Sequence, residues 1–333
     1  MKRIFTTLVA LVAFVAMVTA QTVVESKRPS NKAFQKAVAT IMYKTNGHDI
    51  TAKRMKAMEV TQSELNHFPH TEWRAYRNIK DADALAEAEL SSVPYFMRQA
   101  LDKIKKEVET TKVKDGTVAI WLLYNMGYII KTPTAVFGID IHTRYVEEVA
   151  DLVDFTMVTH AHGDHTNKPF LKAMSARGKQ VFAAFDIEGV NSTKIEHEAV
   201  YTVGDITIRT TIGDHNRKLR NFVTSYEIDC GPRTDNTVLF HTGDSNNYLQ
   251  LNPEKKVDIF MLHMSVGLNI QAAINNIQPR HVFLSHLQEL GHRIDKWRWT
   301  FHDALKLKDK LNHNHIWIPC WGERIIYKRS NWK

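Results

Sequence analysis

Apolar positions follow two different periodicities on either side of Gly116. Upstream, residues 21–115 are rich in Lys, Glu and Ala, and their apolar residues recur at helical spacing. Met97, Leu101, Ile104 and Val108 fall at i, i+4, i+7 and i+11, one stripe of a helix that starts at Pro94 and ends at the KDG of residues 114–116. Ser30 caps a predicted helix running to Gly47, and Thr51 caps another through Val60. The cluster HFPHTEW at 67–73 reads as an ordered loop. Downstream, short β-like runs take over, at 117–124, 128–131, 135–139, 155–158, 181–184, 206–211, 222–228, 237–240, 258–262, 281–284, 316–319 and 324–328. Helical patterns interrupt them at 143–152, 168–177, 269–277 and 294–312. Many short strands with interspersed helices predict a layered α/β domain over 116–333, preceded by a helical segment over 21–115.

The first twenty residues belong to neither texture. Lys2 and Arg3 precede an unbroken apolar run at 8–18, and Val18-Thr19-Ala20 is a small-residue cleavage site. The run is too short for a membrane span, so the segment reads as a signal peptide cut after Ala20. A periplasmic or secreted protein is expected, not an integral membrane one. The formal charge of +8 falls to +6 without Lys2 and Arg3, and no long basic run carries it, which argues against a nucleic-acid partner. Cys230 and Cys320 are the only cysteines; the sequence leaves open a disulfide or two buried thiols.

The chemistry is concentrated in VTHAHGDHTN, residues 158–167, directly after a β-like run. His160, His162, Asp164 and His165 are the donor types a borderline cation such as zinc prefers. A backbone that stays extended there points His160, His162 and Asp164 to one side and His165 to the other. His160 and His162 then grip one metal, while Asp164 and His165 lean toward a second. The remaining ligands are sought where strands end, because a rigid strand aims the side chain and the following loop leaves room. His215, Asp244 and His286 meet that rule. His241 lies inside its strand and His281 begins one, so both rank lower. His263 and His292 are candidate substrate-pocket residues, as is Arg217 in the basic stretch HNRKLRN. Trp297 and Trp299 are candidates to line an apolar pocket, although helical spacing makes one of them more often core.

These motifs resemble those of the metallo-β-lactamase superfamily. GIDIH at 138–142 is similar to its first motif, HAHGDH at 160–165 to its second, and His215, Asp244 and His286 to the third, fourth and fifth, in order. The resemblance implies an αββα sandwich and a metal-dependent hydrolase. It implies that His160, His162 and His215 hold the first metal, that Asp164, His165 and His286 hold the second, and that Asp244 bridges them. Asp140 would support the metal loop from behind. Aspartate at the bridging position is similar to the lactonase, thioesterase and phosphodiesterase branches, whereas many true β-lactamases of the family have cysteine or serine there. The GDSNNY stretch resembles the branch of ascorbate-phosphate lactonase and N-acylphosphatidylethanolamine phospholipase D.

Two divalent ions, zinc by their ligand chemistry, can share a water and bring its pKa toward neutrality, giving a bridging hydroxide that attacks carbonyl carbon or phosphorus. Asp164 is the candidate for proton handling. The expectation is an exported binuclear hydrolase acting on a phosphodiester, lactone, ester or amide in a small or lipid-like molecule. A periplasmic β-lactamase and a non-enzymatic, metal-stabilised binding protein are the alternatives.

Overall fold

The computed structural model describes residues 30–332; the signal-peptide expectation lies outside them. Among the described residues, five helices come first: α1 (Lys32–Lys44), α2 (Ala52–Asn66), α3 (His70–Asn78), α4 (Ala82–Ala88) and α5 (Ser92–Thr110). Caps set their starts. Asn31, not Ser30, caps α1 by accepting the Phe34 N–H at 2.9 Å, and Thr51 caps α2 by accepting that of Arg54 at 3.2 Å. Met97, Leu101, Ile104 and Val108 are all buried on α5.

Several expectations need correction. HTEW is not loop: Pro69 precedes α3, and burial of Trp73 and Tyr76 on one face of that helix outweighs its polar composition. Helix α1 stops at Lys44 and α5 at Thr110, each short of its glycine, while α2 continues to Asn66, past Val60. The run 143–152 forms only a 3-10 turn at Val146–Val149. The pattern over 294–312 shrinks to α8 (Phe301–Lys308), because Thr300 and Asp303 close a capping box that starts the helix there.

Two seven-stranded sheets follow. The first contains β1 (Thr117–Tyr124), β2 (Gly127–Lys131), β3 (Val136–Ile139), β4 (Phe155–Met157), β5 (Gln180–Ala183) and β6 (Thr193–Lys194), with β14 (Arg324–Lys328) returning beside β1. Helix α6 (Lys168–Ala176) joins β4 to β5. The second contains β7 (Val200–Val203), β8 (Ile206–Gly213), β9 (Val223–Asp229), β10 (Val238–His241), β11 (Ile259–His263), β12 (His281–Ser285) and β13 (Ile316–Trp317) in reverse spatial order. Helices α7 (Ile270–Ile277) and α8 cross over between the parallel pairs β11–β12 and β12–β13. The sheets share one hydrophobic core and meet through contacts such as Tyr128 Oη to Ser285 Oγ at 2.5 Å. With helices outside both, this is an αββα sandwich. The strands β1, β4 and β10 to β12 are buried almost throughout, which is why they read as apolar runs and not as alternating patterns.

Strand direction decides where the site forms. β8 and β10 are each antiparallel to β9, and β10, β11 and β12 are mutually parallel, so β8, β10, β11 and β12 all end at one edge. In the first sheet β3 and β4 are parallel and end side by side. No described helix is long and apolar enough to cross a membrane. Cys230 and Cys320 are buried free thiols, not a disulfide.

Candidate metal centre

The backbone after β4 does not stay extended. The N–H groups of His165 and Thr166 both donate to His162 O, at 3.1 and 3.0 Å, closing a turn, and Asn167 then caps α6. This turn, rather than strand alternation, brings His160, His162, Asp164 and His165 together. Ligand-capable atoms of His160, His162, His215 and Asp244 lie within 4.8 Å of one another, as do those of Asp164, His165 and His286. Asp244 stands between the groups: Oδ2 is 3.7 Å from His160 Nε2, 3.5 Å from His215 Nε2 and 3.8 Å from His286 Nε2, and Oδ1 is 3.2 Å from His165 Nε2. All seven proposed ligands therefore share one site.

Hydrogen bonds behind the rings set which nitrogens are free. Asp140, immediately after β3, accepts from Thr159 N–H at 2.7 Å and from Thr159 Oγ1 at 2.7 Å, and lies 2.7 Å from His165 Nδ1. A carboxylate there takes the Nδ1 proton of His165 and leaves a lone pair on Nε2. Because Thr159 gives its hydroxyl proton to Asp140, its oxygen accepts from His160 Nδ1 at 2.9 Å, with the same result. His160 Nε2, His165 Nε2 and Asp244 Oδ1 are buried with no hydrogen-bond partner among the described residues. His160 Nε2 without a hydrogen bond, beside His165 Nε2 and Asp244 Oδ1 that face each other at 3.2 Å without one, fits a bound cation. Backbone strain marks the same place: Asp140 and His286 hold φ of 47° and 61°, unusual for residues with a Cβ.

Burial would raise the carboxyl pKa values of Asp164 and Asp244, but His165 and His286 override it and hold both well below the ordinary range. Burial, reinforced by His165, pushes His160 well down; burial and His215 lower His162. Burial also opposes charge on His165 and His286, yet Asp244 and Asp164 raise both, with Asp140 adding to His165. A cation at the site competes with those two protons.

The centre opens into a cleft of about 370 Å³ floored by His162, Asp164, Asp244 and His286. His263, His292, Trp297 and Trp299 line its sides. Trp297 stands outside any helix, 58% exposed, with φ of 69°. Arg217 is exposed, and the lining of that loop stops at Asn216. His241 is spent elsewhere: Nδ1 accepts from Gly243 N–H and Nε2 lies 3.0 Å from Met126 O.

Two positioning residues escaped the sequence reading. Thr159 links Asp140 to His160, and its place inside the motif was the signal available. Asn125, in the turn between β1 and β2, donates from Nδ2 to Asp164 Oδ2 at 3.1 Å, and its carbonyl accepts His286 N–H at 3.2 Å. Only the antiparallel β2–β3 pairing, which sets this turn beside Asp140, reveals that role.

No family model matches the chain, and no curated protein matches its sequence. Distant likenesses to solved structures exist. Igni18, a metallo hydrolase from the archaeon Ignicoccus hospitalis, is 14% identical over 63% of this chain and 98% of its own, with a TM-score of 0.49. The metallo-beta-lactamase fold protein YhfI from Bacillus subtilis is 12% identical over 64% and 100%, TM-score 0.48. CmlA, a diiron beta-hydroxylase from Streptomyces venezuelae, is 12% identical over 66% and 55%, TM-score 0.48.

Proposed function

We propose that this protein is an exported, binuclear metal-dependent hydrolase with zinc in both sites. Its substrate is a phosphodiester, lactone, ester or amide bearing an apolar group. The convergence of His160 Nε2, His165 Nε2 and Asp244 Oδ1, buried and without hydrogen bonds among the described residues, carries the reading. His160, His162 and His215 would hold one ion, Asp164, His165 and His286 the other, with Asp244 between them. Ions so held supply an activated water and Lewis acidity toward the substrate oxygen.

The chain's own groups do the rest. Asp164 Oδ2 is fixed by Asn125 and by His286, 3.1 Å from each, while its Oδ1 has no hydrogen bond among the described residues. Placed on the cleft floor, Asp164 takes the proton released by the attacking water and returns it to the leaving group. Trp297 and Trp299 seat the apolar part of the substrate. Export rests on the leader-like segment at 1–20.

Elemental analysis of the purified full chain tests the reading: about two zinc ions per chain are expected, and His162→Ala loses metal and turnover together. A panel of bis(p-nitrophenyl) phosphate, an aliphatic lactone and a chromogenic cephalosporin then assigns the substrate class. Folded wild-type protein that binds no metal defeats the proposal, and efficient cephalosporin turnover replaces it with the β-lactam reading.

A further inference from the structure

His263 belongs to the centre by position and is set apart from it by its hydrogen bonding. It ends β11, between the strands that deliver Asp244 and His286, and its ring stacks on that of His286 with centroids 4.0 Å apart at 25°. Asp244, His263 and His286 place ligand-capable atoms within 4.8 Å of one another. Distance alone would make His263 an eighth ligand.

The tautomer argues otherwise. His263 Nδ1 accepts the Ser265 N–H at 2.9 Å. A backbone N–H can only donate, so Nδ1 keeps its lone pair and the neutral ring carries its proton on Nε2. That nitrogen has no partner among the described residues, and the residue lines the cleft. His160 and His165 show the opposite arrangement, with Nδ1 facing an acceptor and Nε2 left bare. An Nε2 that holds a proton cannot bind a cation, but it is an N–H donor on a residue that lines the cleft beside Asp244 and His286.

We infer that His263 is not a metal ligand but a neutral hydrogen-bond donor to the substrate oxygen on which negative charge gathers, a phosphoryl or carbonyl oxygen. This rests on the hydrolase reading above. The donor is pre-set by the Ser265 backbone and by the stack on His286, so it needs no rearrangement when charge develops. It also explains why β11 ends in a histidine at all: a ring of the same shape without the N–H would pack as well against His286.

Three measurements on the full chain test this. In wild type, long-range nitrogen-15 correlation of the imidazoles, with His263→Gln used to assign the ring, should show the Nε2–H tautomer both before and after zinc loading. His263→Phe should keep two zinc ions per chain yet weaken inorganic phosphate binding by about 10–100-fold, the worth of one hydrogen bond to a charged oxygen. His263→Gln, whose amide nitrogen reaches nearly the same point, should recover most of that affinity. Loss of one zinc in either variant makes His263 a ligand and overturns the inference, as does an Nδ1–H tautomer. Zinc-loaded wild type that ignores phosphate, or a Phe variant that binds it equally well, overturns it too. Wild type that takes up no zinc defeats the hydrolase reading itself, which separates that failure from this one.

Discussion

Asp140 touches none of the proposed cation positions, yet it sets the tautomers of His165 directly and of His160 through Thr159. Its carboxylate is buried and its backbone strained, a combination that persists only where the surroundings hold it in place. Gly243 shows the same tightness beside Asp244: at φ +52°, an added Cβ would stand 2.8 Å from Thr159 Cβ and 2.8 Å from Val223 Cγ1. Asp140→Asn keeps the shape but sets an NH2 group either against the Thr159 N–H, which needs Oδ1, or in place of Oδ2, which serves both the Thr159 hydroxyl and His165 Nδ1. Zinc affinity measured by calorimetry should fall about 10–100-fold, the usual effect of losing such a partner. An unchanged affinity would mean that His165 is oriented by packing alone.

Elements supply the geometry that single residues use. Because β8, β10, β11 and β12 end at one edge, the candidates sought at strand ends, His215, Asp244 and His286, are brought to one place by the pairing. Helical periodicity misled on the cleft wall, where residues 294–299 form no long regular element although their apolar spacing imitates a helix. Arg298 holds that segment. Its buried guanidinium donates to the carbonyls of Leu65, Phe68, Glu289, Leu290 and His292, tying the wall that carries His292, Trp297 and Trp299 to the end of α2. Arg298→Met leaves those carbonyls without their donor. Urea unfolding should show a loss of about 3 kcal/mol or more. KM for any panel substrate with an apolar group should rise more than kcat falls. Equal KM values would free the N-terminal helices of any part in shaping the cleft.

Over the whole molecule, the helical segment and the sheets form one packed body. Arg54 of α2 pairs with Glu323 before β14, Nη2 to Oε2 at 2.7 Å, both fully buried. A histidine cluster joins the same two regions: His48 Nε2 lies 3.2 Å from His315 Nδ1, and the His315 ring lies 5.0 Å from that of His281, tilted by 44°, while His281 Nδ1 accepts the Trp317 indole N–H at 3.1 Å. Burial first, then His315, His48, His313 and Arg280, lower the His281 pKa to about 3. The unfolded chain takes up that proton near pH 6.5 whereas the folded protein does so only near 3. Stability from this group is therefore complete above about pH 6.5 and drains away as pH falls toward 3. Thermal melting at pH 5 should lie below that at pH 7.5. His281→Asn, which keeps an acceptor for the indole and cannot titrate, should flatten the slope; a slope unaltered by the change would assign the effect to other groups.

What the sequence determined by itself is which residues are candidates for the donor set. Residue types and their spacing in HAHGDH, and the placement of His215, Asp244 and His286 after apolar runs, follow from rules of period and strand ends that operate locally. The layered α/β class followed for the same reason. Tertiary structure alone decided how each ring is used. His241 ends β10 and does not lie inside it, His263 ends β11 and His286 directly follows β12, so position along these parallel strands does not by itself assign their roles. Their roles come from partners distant in the chain or hidden in the turn: the Met126 carbonyl that occupies His241, the Ser265 amide that gives His263 its Nε2 proton, and the Asp164 and Asp244 carboxylates facing His286. A hydrogen-bond donor and a metal ligand are the same residue in sequence. Only the atom behind the ring tells them apart.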